Sequence, residues 1–570
     1  MSINIYQILT RLFNNPNNTN KPFGTLDENG CSKFNLITSK ALTSLKELGI
    51  THVWYTGVIR HASCNGFPEH GIVADNPLIV KGVAGSPYAI KDYFDVSPDL
   101  AEDVPNRMQE FERLVARTHE AELKVIIDFV PNHVCRQYNA LNRPEGVPNL
   151  GENDNPNLAF SPDNNFYYIP NEQLVVPIGI NFPYTLKAER YHEKPAKGTG
   201  NSPLTSKPLI TDWYETVKLN YGVDIRYEAT PHLRLEKNNT WKRMREILEY
   251  WASKGVDGFR CDMVEMVPLE FWEWVIPRVR KKYENIIFIA EIYNPNEYRR
   301  FLFKGEFDYL YDKVGLYDTL RHIIEGKAQA WKITDCWKAQ EGYSQRMLRF
   351  MENHDEQRIA SKQFAGNPRA AIPAMIVAAT MHSGPLMIYF GQEIGEPGSD
   401  HEGFSTSDGR TTIFDYWCLK NFQKWVNNGA FDGGELSAEQ KEIRNFYQNL
   451  LSLRLSNAAI HDGNFYDLMW ANQSDNLFSQ KNFVYLRYTP KQVLLIVLNF
   501  DGHHSRTMQI RIPEHALELT RLSEVPTVKG IDLLGYHPPI TFDPINAHSN
   551  GVAIYLPKCS GAIFELKGES

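Results

Sequence analysis

Nothing in the 570 residues points to a cross-linked or metal-clamped scaffold. Seven cysteines (Cys31, Cys64, Cys135, Cys261, Cys336, Cys418 and Cys559) are odd in number and widely spaced, with no Cys-x-x-Cys pair. Neither a disulfide framework nor a zinc site is indicated, and reduced thiols in a reducing, cytoplasmic setting are expected. No apolar run reaches membrane-spanning length, and residues 1–13 lack the basic stretch and apolar core of a secretory leader. A basic excess is missing as well: 60 Lys and Arg against 68 Asp and Glu leave a net charge of −8. That balance gives nucleic acid or an anionic membrane no electrostatic footprint to bind. What the chain holds in plenty is aromatic residues, 28 Tyr, 30 Phe and 11 Trp. Aromatic rings fill cores, and they also stack on the apolar faces of sugars.

The apolar pattern alternates between two periods. Residues 38–48 show helical spacing, Gly49 stops the helix, and 51–55 read as a strand. The same grammar recurs at 108–121 with 124–130, at 244–254 with 256–261, at 268–283 with 286–290, and at 368–382 with 386–390; the chain opens on a strand at 3–9. Near-continuous apolar strands alternating with amphipathic helices imply a parallel sheet covered by helices. This many successive units favour closure into a (β/α)8 TIM barrel. Residues 136–218 break the grammar, being rich in Asn, Pro and Gly, and read as an inserted domain after strand 3. Beyond a last helix at 438–455 come short alternating runs at 483–488, 493–500, 508–512, 552–556 and 561–566, the pattern of an antiparallel β-sandwich. The expected organisation is a barrel over 1–135 and 219–432, the insertion at 136–218, and a C-terminal β-sandwich domain at 433–570.

Catalytic groups of a parallel barrel gather at the C-terminal ends of its strands. Asp128 closes one apolar run, Asp262 follows Arg260-Cys261 after another, and Glu291 follows 286–290. Asp355 ends the segment 349–355 that precedes the helix at 368. A single acid at a strand end is as readily a solvated surface group, but four in succession converge on one face. Paired carboxylates are what glycosidic bond cleavage needs, one ionised to attack the sugar carbon and one protonated to release the leaving oxygen. Arg260 and Asp262 are two apart, so on a strand both point to the same side, and the guanidinium is expected to hold the aspartate ionised. Glu291 lies behind an apolar strand, a setting that suits a proton donor. Asp355, beside His354, is placed to bind sugar hydroxyls.

These segments resemble the sequence regions of glycoside hydrolase family 13, the α-amylase family. The matching segments are Asp128-Phe129-Val130-Pro131-Asn132-His133, Gly258-Phe259-Arg260-Cys261-Asp262, Ile289-Ala290-Glu291 and Phe350-Met351-Glu352-Asn353-His354-Asp355, all in order, with Lys218-Leu219-Asn220 closing the insertion. Outside them, Ile5-Tyr6-Gln7, Trp54, Tyr88 and the run Tyr389-Phe390-Gly391-Gln392-Glu393 also fit. The resemblance implies that Asp262 is the nucleophile, Glu291 the acid/base and Asp355 the transition-state stabiliser. It implies that Arg260 orients Asp262, that His133 and His354 hydrogen-bond the sugar under attack, and that Tyr88 stacks on it. A core tyrosine is the alternative for Tyr88. Asn132 matches a calcium ligand of many members and a loop brace of others; no cofactor is required, and calcium stays open.

The chain departs from the common family pattern in two places. Where secreted α-amylases often carry Lys-His, three and four residues after the nucleophile, this chain has Glu265 and Met266. Ala89 follows Tyr88, where many α-glucosidase-type members have aspartate. The first departure argues against a plain endo-amylase and the second against an enzyme that reads a free glucose end. The leading expectation is a retaining hydrolase of α-1,4-glucans or maltooligosaccharides, its partner an oligo- or polysaccharide. A transglycosylase with the same triad is the alternative, and a non-catalytic, carbohydrate-binding subunit is a distant third. Retention requires the Asp262 and Glu291 carboxyls to lie roughly 5–5.5 Å apart.

Overall fold

Eight short parallel strands wrap the centre of the protein because each is an apolar run buried on both faces. The computed structural model describes residues 2–177, 188–227, 239–474 and 478–569. The strands are β1 (Asn4–Leu9), β2 (His52–Thr56), β3 (Lys124–Phe129), β4 (Gly258–Cys261), β5 (Ile287–Ala290), β6 (Tyr309–Tyr311), β7 (Met347–Leu348) and β8 (Leu386–Tyr389). They pair in the order β7-β6-β5-β4-β3-β2-β1-β8. A single parallel bridge, Arg349 to Leu386, links the end of β7 to β8 and brings the sheet round to a barrel. This is the expected (β/α)8 TIM barrel.

Helices α1 (Ser39–Glu47), α2 (Arg107–Glu120), α3 (Asn239–Ser253) and α4 (Leu269–Lys282) precede β2, β3, β4 and β5. Their ends obey local chemistry. Thr38 caps α1 by accepting from the Ala41 amide, and Gly49 ends it at φ +96°, a conformation glycine adopts without strain. A side chain at Gly49 would also meet Leu451 Cβ at 2.9 Å. The helix expected at 368–382 begins as a 3-10 turn over Pro368–Ala371 before α5 (Ile372–Thr380), since proline at 373 supplies no amide hydrogen for an α-helical bond.

The irregular stretch after β3 leaves and returns through a two-stranded ribbon, His133–Cys135 against Thr216–Lys218. That ribbon sets His133 and the residues before Lys218 at the mouth of the barrel. At the other end of the chain, α6 (Ala438–Ser456) starts at a Ser437–Gln440 capping box and packs on β1, with Asn4 Nδ2 donating to the Leu451 carbonyl at 3.2 Å. The expected C-terminal antiparallel sheets follow. Six strands, β9 (Asn464–Asp467), β10 (Asn482–Thr489), β11 (Gln492–Asn499), β13 (Thr527–Asp532), β14 (Ile540–Phe542) and β16 (Ser560–Glu569), pair in the order β9-β10-β11-β16-β13-β14. A separate pair joins β12 (Arg506–Ile510) to β15 (Val552–Leu556). All seven cysteines are free thiols. No helix among the described residues is long and apolar enough to cross a membrane.

Candidate active site

Strand ends deliver the acids. Asp128 sits on β3, Asp262 directly follows β4, Glu291 directly follows β5, and the segment after β7 carries His354 and Asp355. A cavity of about 280 Å³ opens over these ends and is lined by Tyr88, His133, Asp262, Glu291, His354 and Asp355, six of the seven expected site residues. Arg260, the seventh, lies beneath the cavity floor at 1% exposure.

Arg260 serves more than the one partner expected of it. Its Nη1 is 2.8 Å from Asp262 Oδ1 and 3.3 Å from Asp128 Oδ1, while Nη2 is 2.8 Å from Glu291 Oε2. Its Nε donates to the Tyr311 hydroxyl at 3.2 Å, and the rings of Trp54, Tyr88 and Tyr311 surround the guanidinium at 5.3–5.6 Å. One cation therefore faces three buried carboxylates, and the expectation of an Asp262 held ionised by Arg260 needs correction. Burial first and Glu291 second push the Asp262 carboxyl well above its usual range, with Arg260 opposing them. Burial also lifts Asp128 to about 6 against the pull of Arg260. The buried acid group thus favours holding a proton.

Glu291 is not in the apolar setting that its strand suggested. Its Oε2 accepts from the Met263 amide at 2.8 Å beside Arg260, and its Oε1 accepts from the Tyr293 hydroxyl at 2.7 Å. Met263 reaches it from a left-handed backbone, φ +44°, immediately after Asp262; a non-glycine residue holds that conformation only under constraint from its surroundings. Burial and the neighbouring Glu291 push the Tyr293 hydroxyl up, so it stays a donor. Glu265, which with Met266 makes one of the two departures from the family pattern, accepts from the amides of Tyr293 at 2.7 Å and Asn294 at 3.0 Å.

Both histidines are neutral. Burial, reinforced by Arg260, takes His354 down to about 3, and burial with Lys218 and Lys81 does the same to His133. Gln7 Nε2 donates to His354 Nδ1 at 2.8 Å, which assigns the proton to Nε2; that atom meets the Tyr88 hydroxyl at 2.6 Å and Asp355 Oδ2 at 3.1 Å. The contact with Asp355 is accordingly one between a carboxyl and a neutral ring. Asp355 is the most open of the acids, its side chain 43% exposed. The Tyr88 ring stacks on His354 at 5.2 Å, and its hydroxyl donates to Asp128 at 3.3 Å. Trp54 Nε1 donates to the other Asp128 oxygen at 2.9 Å.

The insertion adds Trp213, Glu215 and Thr216 to the cavity wall, and Lys81 joins them from the segment after β2. Trp213 lies 5.2 Å from the His133 ring, and Glu215 Oε1 is 3.0 Å from Lys81 Nζ. Periodicity alone gave no signal for Lys81, Trp213, Glu215 or Tyr311, which lie in irregular segments or on a three-residue strand. Asn132 Oδ1, the atom that the resemblance would offer to calcium, accepts instead from the Lys218 ammonium. Lys218 Nζ also donates to the Met266 carbonyl at 2.9 Å, and burial brings its pKa down to about 7. Among the described residues no group of three or more His, Cys, Asp or Glu side chains is arranged to hold a metal ion.

With this geometry in hand, comparison with known proteins is consistent in one direction. The family model described as "Alpha amylase, catalytic domain" matches residues 7–448. Alpha-amylase 3 of Dictyoglomus thermophilum is 23% identical over 443 residues, 74% of this chain and 73% of the relative. A cyclomaltodextrinase of Bacillus sp. is 23% identical over 519 residues, 88% of this chain and 74% of the relative. Among solved structures, the α-amylase of Geobacillus thermoleovorans in complex with acarbose superposes with a TM-score of 0.62 at 18% identity, covering 100% of this chain and 99% of that one.

Proposed function

Since the chain belongs to the α-amylase family, we propose that it is a retaining hydrolase of α-1,4-glucans or maltooligosaccharides working through a β-glycosyl-enzyme on Asp262. Its relatives are named α-amylase and cyclomaltodextrinase, and the chain is accordingly a glycosidase that acts on α-glucans by hydrolysis or transfer. The observation that carries the mechanism is the buried Arg260 guanidinium, which contacts the Asp262 and Glu291 carboxylates through different nitrogens. A nucleophile and a proton donor so held flank one bond.

Glu291 gives its proton to the glycosidic oxygen as the C1–O bond breaks, and an oxygen of Asp262 bonds to C1 from the opposite face. Water, deprotonated by Glu291, then displaces Asp262 from C1. Two inversions restore the α configuration. Asp355 and the neutral Nε2–H of His354 hold the hydroxyls of the same sugar, and Asp355 faces the positive charge that develops on the ring. His133, whose Nδ1 accepts from Asn132 Nδ2 at 3.0 Å, presents its Nε2–H as a further donor.

Trapping tests the roles. Glu291→Gln incubated with α-maltosyl fluoride should load one maltosyl unit onto Asp262, seen by mass spectrometry of the peptide, because fluoride leaves without a proton. With azide that variant should give α-maltosyl azide, whereas Asp262→Ala should give none or the β anomer. Near-normal turnover by Asp262→Ala would refute the assignment. Product profiles from maltoheptaose with and without added glucose separate hydrolysis from transfer, which share every step up to the glycosyl-enzyme.

A further inference from the structure

The loops after β4 and β5 clasp each other through their carboxylates. From the β4 side, the Met263 amide donates to Glu291 Oε2 at 2.8 Å. From the β5 side, the amides of Tyr293 and Asn294 donate to the two oxygens of Glu265 at 2.7 and 3.0 Å. The Val264 amide donates to the Glu291 carbonyl at 3.2 Å, and the Glu291 amide to the Cys261 carbonyl at 3.0 Å, so the two loops are tied from both directions. Between these ties stands Tyr293, whose hydroxyl donates to Glu291 Oε1 at 2.7 Å and which itself lines the cavity.

We propose that Glu265 and Tyr293 form a positioning pair for the acid/base: Glu265 fixes the loop, and the loop holds the Tyr293 hydroxyl on the one oxygen of Glu291 that can carry the transferable proton. The inference rests on Glu291 being the acid/base. Its Oε2 accepts from the Met263 amide and lies 2.8 Å from a guanidinium nitrogen of Arg260, two positive neighbours that disfavour a proton there. The proton therefore rides on Oε1, and Tyr293 sets the direction in which it points. As the glycosidic bond breaks, Oε1 takes on negative charge and the tyrosine hydrogen bond strengthens. A contact that is stronger in the transition state than in the ground state raises the rate of the chemical step and leaves binding unchanged. A mere loop cap at Glu265 would have no such selectivity for the step that needs a proton.

The test compares substrates that need the proton with one that does not. Tyr293→Phe, Glu265→Gln and Glu265→Ala are assayed on maltoheptaose, on aryl α-maltosides of graded leaving-group acidity, and on α-maltosyl fluoride. Loss of one hydrogen bond to a charged group should lower kcat on maltoheptaose about ten- to a hundredfold, with KM little changed. The loss should shrink as the aryl leaving group becomes more acidic and should fall within about twofold of wild type on the fluoride. The Glu265→Ala/Tyr293→Phe double variant should be no worse than the poorer single variant, since both act through one hydrogen bond. An equal loss on fluoride and maltoheptaose, or no loss in either Tyr293→Phe or Glu265→Gln, overturns the proposal. Tyr293→Phe keeps the ring and decides the matter even where Glu265→Ala does not fold. Glu291→Gln run alongside separates the two levels. If it keeps full turnover of maltoheptaose, the acid/base reading has failed; if it collapses while the Tyr293 and Glu265 variants show no leaving-group dependence, only this inference has.

Discussion

Replacing Arg260 by methionine should destabilise the protein in a way that depends on pH. Methionine keeps most of the volume and removes the charge, leaving Asp262, Glu291 and Asp128 buried at 3–6% exposure around a vacated cation. Removing one partner of a buried ion pair costs about 3–5 kcal/mol. At about 2.1 cal/mol/K of unfolding entropy per residue, a cooperative unit of the barrel's size would lose roughly 3–6 °C in Tm. The pH dependence has a definite sign. Burial already raises Asp262 and takes Asp128 to about 6, and in both Arg260 pulls the other way. Without Arg260 these carboxyls rise further above their unfolded value of about 3.9. A raised carboxyl takes up a proton on folding, so the stability it costs is absent below the unfolded pKa and complete above the folded one. Thermal unfolding followed by circular dichroism should therefore show a large deficit of Arg260→Met against wild type at pH 8 that narrows towards pH 5. An equal deficit at both values would mean that packing, and not charge, is what Arg260 contributes.

Other expectations can be checked with less effort. Because Lys218 occupies the Asn132 oxygen, activity should persist in EDTA; loss restored by calcium alone would contradict that. Asp355→Asn should be nearly inactive on every substrate, and neither azide nor an activated leaving group should rescue it, as its proposed part is to stabilise charge on the sugar and not to move a proton. Lys81→Met breaks the ion pair with Glu215 in the cavity wall, and should lower kcat/KM about tenfold for maltoheptaose but little for a one-sugar aryl α-glucoside. Equal losses on both would place Lys81 at the reacting sugar.

Most of the barrel could be read in advance because its strands are apolar runs set between amphipathic helices. β1 to β5 and β8 lie within two residues of where periodicity put them. β6 and β7 escaped, and the reason is length: three residues at Tyr309–Tyr311 and two at Met347–Leu348 are too few to establish an alternation. Their place in the sheet comes from neighbours, β6 from β5, and β7 from β6 together with the single bridge at Arg349. The insertion was legible only as a loss of pattern, and its residues 178–187 lie outside those described. What it contributes to the cavity, Trp213 and Glu215, follows from the ribbon that joins it to His133, a contact between segments about eighty residues apart.

The acids illustrate where local reading stops. Arg260 and Asp262 pair by their spacing of two at the end of a strand. The pairing of Asp262 with Glu291 needs one step more, the register of two strands. Phe259 stands opposite Phe288 and Cys261 opposite Ala290, so the next residues along, Asp262 and Glu291, come side by side. Parallel neighbours are about 4.8 Å apart, close to the roughly 5–5.5 Å that a retaining pair of carboxyls requires. Adjacent strands that each end one residue before an acid thus support the short spacing that the proposed retaining mechanism needs. Inversion would need a water between the carboxyls and a gap of about 6.5–9.5 Å, which these two strands, in this register and bridged by one guanidinium, are poorly built to provide. Glu265 could be found by neither rule, because it acts on a loop that reaches it only once β4 and β5 have paired.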